Sequence, residues 1–251
     1  MAQGFPEMIY KFLLAVQFLT IIPVRLKRPP SPQDKADSAI FFPVAGLIIG
    51  IILYAGYIIL HKIFPQFLAD ILILIFWVFV TRGMHLDGVA DVFDGFYEGN
   101  GREKVLQIMK DPHIGAIGAL GLLLFVLLKF GGIHSMPGNI KPGFLLVVPS
   151  IARGTMVVLA YLLPYARIDG TGRDFVNGIK IKQAIAAILI SVISISILGM
   201  RAAGVMTINV LVVFMLYLYF KKRINGITGD CLGFTCEVSE ISSMLVLCAG
   251  G

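Results

Sequence analysis

Three aspartates with helical spacing are the residues of this chain best suited to chemistry. Asp87, Asp91 and Asp94 stand at i, i+4 and i+7, so a helix through this stretch places all three carboxylates on one face. Like charges so close together repel, and a bound divalent cation is the simplest way to neutralise them. Carboxylate oxygens are the ligands that Mg²⁺ prefers in proteins. The spacing therefore predicts a Mg²⁺ site formed by these three aspartates.

The residues around the aspartates indicate that the substrate carries phosphate. In phosphate chemistry, carboxylates hold Mg²⁺, the ion bridges phosphate oxygens, and basic side chains take up the remaining negative charge. Lys110 and Asp111, at the end of the loop that follows the aspartates, complete the predicted catalytic set. The candidates for contact with the substrate and its phosphates are Arg82, His85, Lys110, Arg153 and Asp230.

Several of these residues also have a purely structural interpretation. Three aspartates can simply form a solvated surface. Asp111 precedes Pro112, as a residue at a helix boundary often does. Asp230 follows a glycine-rich turn, where a helix cap is as good an interpretation as a ligand. His85 and His113 flank the aspartates and act either as bases and hydrogen-bond donors or as structural residues.

The chain that must position these residues is predicted to be an integral membrane protein. It has 251 residues, of which 57% are hydrophobic and 14% charged, and its mean hydropathy is +0.88. Soluble domains carry about 25% charged residues. Apolar runs long enough to cross a bilayer recur along the chain, which predicts an all-α polytopic membrane protein with one integral membrane domain over residues 1–251. The lipid bilayer is therefore an expected partner.

Composition also excludes several classes. The net charge of +6 is interpreted as contact with anionic lipid headgroups, and no nucleic-acid partner is expected. Three cysteines are too few and too irregularly spaced for a disulfide framework or a structural zinc site. The N-terminus does not resemble a cleavable signal peptide.

Eight apolar segments are candidates for membrane helices. The first segment is short enough to be either a span or an interfacial helix, and the last is interrupted by Glu240. These two ambiguities make the prediction a bundle of seven or eight transmembrane helices. The segments are 8–23, 39–60, 68–82, 114–130, 143–164, 183–200, 207–220 and 238–251.

Small and charged residues within the segments predict how the helices pack. Gly46 and Gly50 offer a face that another helix can approach closely, as do the glycines at 115, 118 and 121. Arg153 lies inside a span, where a charge costs about 2.5 to 3.5 kcal/mol on insertion scales. We therefore expect Arg153 to have a partner, either a carboxylate of a neighbouring helix or a bound phosphate.

The distribution of basic residues predicts the orientation of the bundle. With eight segments, fifteen Lys and Arg residues lie in the loops after the first, third, fifth and seventh segments, and only four in the alternate loops. The positive-inside rule then places the aspartates, the basic loop 165–182 and the turn at Asp230 on the cytoplasmic side. This predicts a single active site at the cytoplasmic face of the bundle.

Four separated pieces of the chain resemble the cobalamin-5′-phosphate synthase family, the adenosylcobinamide-GDP ribazoletransferases of vitamin B12 assembly. The second piece is highly specific, and the first and last add order and spacing. Phe234, Thr235 and Cys236 depart from the resemblance, because the family usually keeps small residues and Asn there. The pieces are QFLTIIP (17–23) with FPVAG (42–46), HLDGVADVFDG (85–95) with IMKD (108–111), Arg153 with LPYAR (163–167), and GITGD (226–230).

The resemblance implies a phosphoryl transfer in a bacterial or archaeal cytoplasmic membrane. The family joins adenosylcobinamide-GDP to α-ribazole or its 5′-phosphate, which gives adenosylcobalamin or its 5′-phosphate and releases GMP. A ribose hydroxyl attacks the phosphorus next to the cobinamide arm, and one of Asp87, Asp91 and Asp94 orients or deprotonates it; the residues leave open which one. The rival interpretation is a transporter of small ions or metabolites, with Arg153 lining its path. The oligomeric state is also open, a homo-oligomer included.

Overall fold

The computed structural model describes residues 4–170 and 172–249, and it is helical almost throughout. Within this part of the chain the only strand-like pairing is an isolated bridge between Tyr165 and Ile227. The helices are α1 Gly4–Leu19, α2 Pro32–Ser38, α3 Phe42–Ile63, α4 Gln66–Val80, α5 Met84–Glu98, α6 Arg102–Ile108, α7 Ala116–Ser135, α8 Lys141–Leu162, α9 Arg173–Gly178, α10 Ile181–Ile195, α11 Ala202–Ile224 and α12 Gly229–Ala249. The predicted all-α membrane architecture is confirmed.

The number of membrane spans differs from the prediction. Five helical stretches of the described residues are long and apolar enough to cross a bilayer, and α4 with α5 makes a sixth if this pair, bent by 87°, is one span. The predicted seven or eight spans are therefore not confirmed. Two features account for the difference. Helix α1 has only 16 residues, and α10 and α11 together form one helical stretch, Ile181–Ile224, which contains a non-helical residue, Gly199.

Helix α8 is the centre of the bundle. Of its most apolar stretch, 78% is buried, and α3, α10 and α12 pack around it. The contact with α3 depends on two glycines, because a Cβ at Gly50 would lie 1.9 Å from the carbonyl oxygen of Leu146, and one at Gly46 would lie 2.4 Å from that of Pro149. The close helix contact predicted from these glycines is confirmed.

Helix α12 begins nine residues earlier than its apolar run. The sequence predicts a weak apolar segment from residue 238 that Glu240 interrupts, and Glu237 lies directly before it. In the structure both glutamates are buried and form ion pairs with neighbouring helices. Since their charges are neutralised inside the bundle, α12 continues through them from Gly229 to Ala249.

A second buried ion cluster lies at the end of the bundle where α3 meets α4 and α8 begins. Asp70 of α4 is fully buried and accepts hydrogen bonds from Lys141 at 3.0 and 3.1 Å. His134 and His61 lie 3.0 and 3.3 Å from the same carboxylate. This cluster ties α3, α4, α7 and α8 together, because a buried carboxylate needs partners of opposite charge.

Candidate active site

A break between α4 and α5 positions the aspartates. Arg82 and Gly83 both adopt left-handed backbone conformations, with φ of 57° and 62°. A left-handed arginine is uncommon and is found where the surrounding structure requires it. The two residues turn the chain by 87° between α4 and α5. The predicted helix through the aspartates is confirmed as α5, which begins directly after the break.

The three aspartates of α5 differ in their environments. Asp87 is exposed, Asp91 is half-buried, and Asp94 is only 6% exposed. The Asp94 carboxylate accepts hydrogen bonds from the backbone N–H groups of Gly115 at 2.8 Å and Gly118 at 2.6 Å. These N–H groups belong to the start of α7, so Asp94 acts as a cap for that helix. A Cβ at position 118 would lie 2.2 Å from the Asp94 carboxylate, so only glycine fits at this position without displacing Asp94.

Asp230 joins Asp87 and Asp91 at the start of α12. The backbones cross closely here, since a Cβ at Gly88 would lie 2.5 Å from the carbonyl oxygen of Asp230. Asp87 comes directly before Gly88 and Asp91 three residues after it on α5, so the start of α12 lies next to both. The sequence predicted Asp230 as a candidate, and the structure brings it next to the aspartates of α5, although it lies 139 residues further along the chain than Asp91.

Arg167 is the basic residue closest to these carboxylates. Its guanidinium lies 2.8 Å from the Asp230 carboxylate and also donates to the carbonyl oxygen of Met109 at 3.0 Å. Arg167 was not among the predicted site residues, although it ends the LPYAR piece of the resemblance. That match, together with the prediction that loop 165–182 is cytoplasmic, was the available signal.

A short β-bridge holds Arg167 in place. Ala166 donates its N–H to the carbonyl oxygen of Ile227, and Ile227 donates to that of Pro164, both at 2.9 Å. Arg102 strengthens this junction by donating to the carbonyl oxygens of Ile224 and Ala166, each at 2.9 Å. The loop after α8 and the turn before α12 therefore form one rigid support beneath the carboxylates.

Lys110 and Asp111 lie on the exposed rim of this region. Lys110 lines a groove of about 500 Å³ together with Arg102 and Arg167. Asp111 accepts hydrogen bonds from the backbone N–H and the ring of His113, at 2.9 and 2.7 Å, and these bonds hold its pKa below the ordinary value. Asp111 thus caps its own loop, which agrees with the boundary interpretation.

His85 and Arg153 lie away from the rim, inside the bundle. Arg153 is fully buried and forms a short ion pair with Glu240, and its guanidinium lies 3.3 Å from Nδ1 of His85. Lys129 completes the network, 2.7 Å from Glu237 and 2.5 Å from Glu240. The partner of Arg153 is therefore a carboxylate, one of the two alternatives expected; substrate contacts by His85 and Arg153 stay predictions.

Arg82 lines a different groove from Lys110. This groove, of about 520 Å³, lies between α1, α3, α9 and the α4–α5 break, and it reaches Met84, three residues before Asp87. The predicted site residues thus divide into three groups. Asp87, Asp91 and Asp230 lie together at an open region that we call the mouth, and Lys110 shares a groove with Arg167 at its rim. Arg82 lines the second groove, and His85 with Arg153 belongs to the buried network. Asp94 is on the same helix as Asp87 and Asp91 but is bonded to the start of α7.

The donor set can be compared with what Mg²⁺ requires. Asp94 accepts one backbone hydrogen bond on each carboxylate oxygen, whereas Asp87, Asp91 and Asp230 accept none from the backbone N–H groups that the structure describes and are the more available oxygen donors. The predicted role of Asp94 as a metal ligand stays a prediction. Within residues 4–170 and 172–249, no three His, Cys, Asp or Glu side chains lie close enough to enclose a metal by themselves. Mg²⁺ is usually held by one or two carboxylates together with water and substrate phosphates. The residues present fit that arrangement and not an all-protein cage.

Comparison with known proteins identifies the family. The sequence profile of the cobalamin-5-phosphate synthase family matches residues 11–248. An adenosylcobinamide-GDP ribazoletransferase of Clostridium tetani is 33% identical over 244 residues, 96% of this chain and 97% of the relative. One from Geotalea daltonii is 35% identical over 245 residues, 97% and 99% of the two chains.

Other comparisons agree with this result. A third relative of the same name, from Acinetobacter baumannii, is 35% identical over 232 residues, 91% of this chain and 93% of the relative. No solved structure matches the chain. The relatives do not favour the transporter interpretation. The resemblance seen in the four sequence pieces thus extends over nearly the whole length, and the chain belongs to the cobalamin-5-phosphate synthase family.

Proposed function

We propose that this protein joins adenosylcobinamide-GDP to α-ribazole or its 5′-phosphate, which gives adenosylcobalamin or its 5′-phosphate and releases GMP. The observation that carries the proposal is near full-length similarity to proteins named for this transfer. The site adds chemical support, because Asp87, Asp91 and Asp230 meet Arg167 at one open mouth. Carboxylates beside a guanidinium suit the binding and positioning of a pyrophosphate.

In the proposed reaction a ribose hydroxyl of the acceptor attacks the phosphorus next to the cobinamide arm. A new oxygen–phosphorus bond forms as the bond to the GMP oxygen breaks, and the hydroxyl proton passes to a carboxylate. Asp91 is half-buried and lies one helical turn after Asp87, on the helix that the start of α12 approaches at Gly88, so we assign it the contact with the attacking hydroxyl. Arg167 and Lys110 stabilise the negative charge that moves onto the departing phosphate.

Asp87, Asp91 and Asp230 are the residues proposed to hold Mg²⁺. When bound, Mg²⁺ offsets the charge of the pyrophosphate oxygens and makes the phosphorus easier to attack. Asp94 contributes indirectly in this arrangement, because its bonds to α7 fix the turn of α5 that presents Asp91. The pairing of Arg167 with Asp230 keeps α12 at the mouth.

The proposed topology has α10 and α11 as separate spans and the mouth on the cytoplasmic side of a bacterial membrane. Two observations support it. Ile188 of α10 and Val213 of α11 line the same cavity of about 280 Å³ beside α8, although 25 residues separate them, which favours a hairpin over one long helix. The loops at the end of the bundle that carries the mouth are the basic ones.

The experiment that tests the proposed function is a product assay with the purified protein in detergent. Adenosylcobinamide-GDP, α-ribazole 5′-phosphate and Mg²⁺ are supplied, and GMP and the corrinoid product are quantified together. We expect one GMP per corrinoid product, loss of both with EDTA, and recovery when Mg²⁺ is restored. Turnover that is unchanged in EDTA would overturn the metal assignment, and a folded protein that releases no GMP would overturn the reaction.

A further inference from the structure

The groove next to the α4–α5 break has an aromatic wall. Phe42 stacks on Phe175, with ring centroids 4.9 Å apart and planes 7° apart, and Phe18 also stacks on Phe42, at 5.8 Å and 24°. All three rings line the groove. Phe42 and Phe175 are buried, whereas Phe18 is 44% exposed, so the stack ends in a ring that an additional planar group can cover.

An arginine lies in the same groove without a protein partner. Arg82 is exposed, and no carboxylate within residues 4–170 and 172–249 forms an ion pair with it. Arg102, Arg167 and Arg223, by contrast, are paired with a carboxylate or bonded to carbonyl oxygens. The left-handed backbone at Arg82 is an unfavourable conformation for a residue with a side chain. Because Arg82 lines the groove and has no carboxylate partner in the described part of the chain, its guanidinium is available to bind a phosphate.

The remaining polar groups of the groove are few. Gln17 donates its side-chain N–H to the carbonyl oxygen of Val24, so its side-chain carbonyl oxygen is available to accept a hydrogen bond from a ligand. Ser38 donates to the carbonyl oxygen of Lys35, and Lys35 is paired with Asp174 at 2.8 Å. Guanine has several donors and acceptors that would be left unpaired here, at a cost in free energy. A benzimidazole, with one ring nitrogen to satisfy, fits better.

The position of the groove relates it to the proposed reaction. Met84 lines the groove and stands one helical turn before Asp87, on the same face of α5. The groove therefore extends to within one helical turn of Asp87. The volume of about 520 Å³ is in the usual range for small-molecule sites, roughly 300 to 1,000 Å³.

Resting on the proposed function, we propose that this groove is the acceptor subsite: the benzimidazole ring of α-ribazole 5′-phosphate stacks on Phe18, and Arg82 binds its 5′-phosphate. The ribose then lies between Arg82 and Asp87, where its free hydroxyl reaches the carboxylates. Arg82 is a specificity residue in this arrangement, because it distinguishes the phosphorylated acceptor from α-ribazole itself.

The test is a comparison of steady-state kinetics with the two acceptors at saturating adenosylcobinamide-GDP. Arg82→Gln should raise the KM for α-ribazole 5′-phosphate roughly tenfold or more, the loss expected for one charge-assisted contact. The KM values for α-ribazole and for adenosylcobinamide-GDP should not change. Phe18→Ala should raise the KM for both acceptors. Matched controls are Arg201→Gln and Phe79→Ala, exposed residues outside the groove, which should leave all three KM values unchanged.

Three results would overturn the subsite while leaving the reaction intact. These are an equal rise of KM for both acceptors in Arg82→Gln, a rise for adenosylcobinamide-GDP alone, or no change in any KM value. Equilibrium dialysis of α-ribazole 5′-phosphate provides a readout without turnover: wild-type protein should bind it, and Arg82→Gln should bind it more weakly. Phosphatidylglycerol nanodiscs serve as the alternative phosphate source. If that lipid competes with the nucleotide equally in the wild type and in Arg82→Gln, Arg82 binds neither phosphate and the subsite is wrong.

Discussion

Arg167 and Asp230 form an ion pair of 2.8 Å that connects the loop after α8 with the first turn of α12. The same guanidinium donates to the carbonyl oxygen of Met109, at the end of α6. One side chain thus joins three separate parts of the chain at the carboxylate mouth. Because both contacts are polar and lie at the ends of helices and in loops, its removal should affect the reaction more than the fold.

Replacement of Arg167 by Gln should lower kcat by about 100-fold, in the range seen when one positioned donor is removed from an active site. Arg167→Lys should recover only part of the activity, since an ammonium does not reach Asp230 and Met109 together. Steady-state GMP release measures both. The control is Arg173→Gln, which loses only an exposed contact of 3.9 Å to Asp169. Equal activity of the Arg167 and Arg173 variants would contradict a role for Arg167 at the site.

The contacts of Asp94 predict a loss of stability when it is changed. In Asp94→Asn, one side-chain oxygen remains for the two backbone N–H groups of α7, and the amide N–H₂ faces the other N–H group. Because one of these N–H groups loses its acceptor, we expect a loss of about 1 to 2 kcal/mol in the free energy of unfolding. Thermal unfolding in detergent checks this, with Asp87→Asn as the comparison, because Asp87 is exposed. If Asp94→Asn unfolds at the wild-type temperature but is inactive, Asp94 takes part in the reaction and its capping role is secondary.

The buried network of α12 predicts different results for single and double changes. Glu240→Gln leaves Arg153 without its carboxylate inside the bundle, which should cost about 3 to 5 kcal/mol. The double variant Arg153→Met with Glu240→Leu removes both charges and leaves Lys129 paired with Glu237. Because no buried charge is then without a partner, the double variant should recover most of the stability that Glu240→Gln loses. Tm values of the two variants test the idea, with Leu245→Ala as an exposed control on α12. A double variant less stable than Glu240→Gln would show that the network is more than an ion pair.

Much of the fold was accessible from the sequence because hydropathy and helical spacing are local signals. The helix through Asp87, Asp91 and Asp94, and the close packing at Gly46 and Gly50, follow from spacing alone. The predicted number of spans was not confirmed where the length of a helix is marginal. The 16 residues of α1 and the break at Gly199 depend on the position of the bilayer and on tertiary packing, which composition does not fix.

The sequence predicted most of the residues of the candidate site, but it did not predict which of them contact one another. Spacing places Asp94 on one face with Asp87 and Asp91, but the start of α7 reaches Asp94 only through tertiary structure. Glu240 was interpreted as an interruption of a span, because its partner Arg153 lies 87 residues away. Long-range pairs of this kind are not visible in one sequence, whereas the grouping of the basic loops on one side was visible.

The measurement that most directly tests the central claim is GMP release by Asp91→Asn compared with wild-type protein. Asp91 is assigned the contact with the attacking hydroxyl, so the variant should release no GMP above background while it retains the wild-type Tm and elution volume. Asp169→Asn, whose side chain is 87% exposed on the neighbouring loop, should release GMP at the wild-type rate. Near-normal GMP release by Asp91→Asn would contradict both the catalytic role of Asp91 and the carboxylate site built around it.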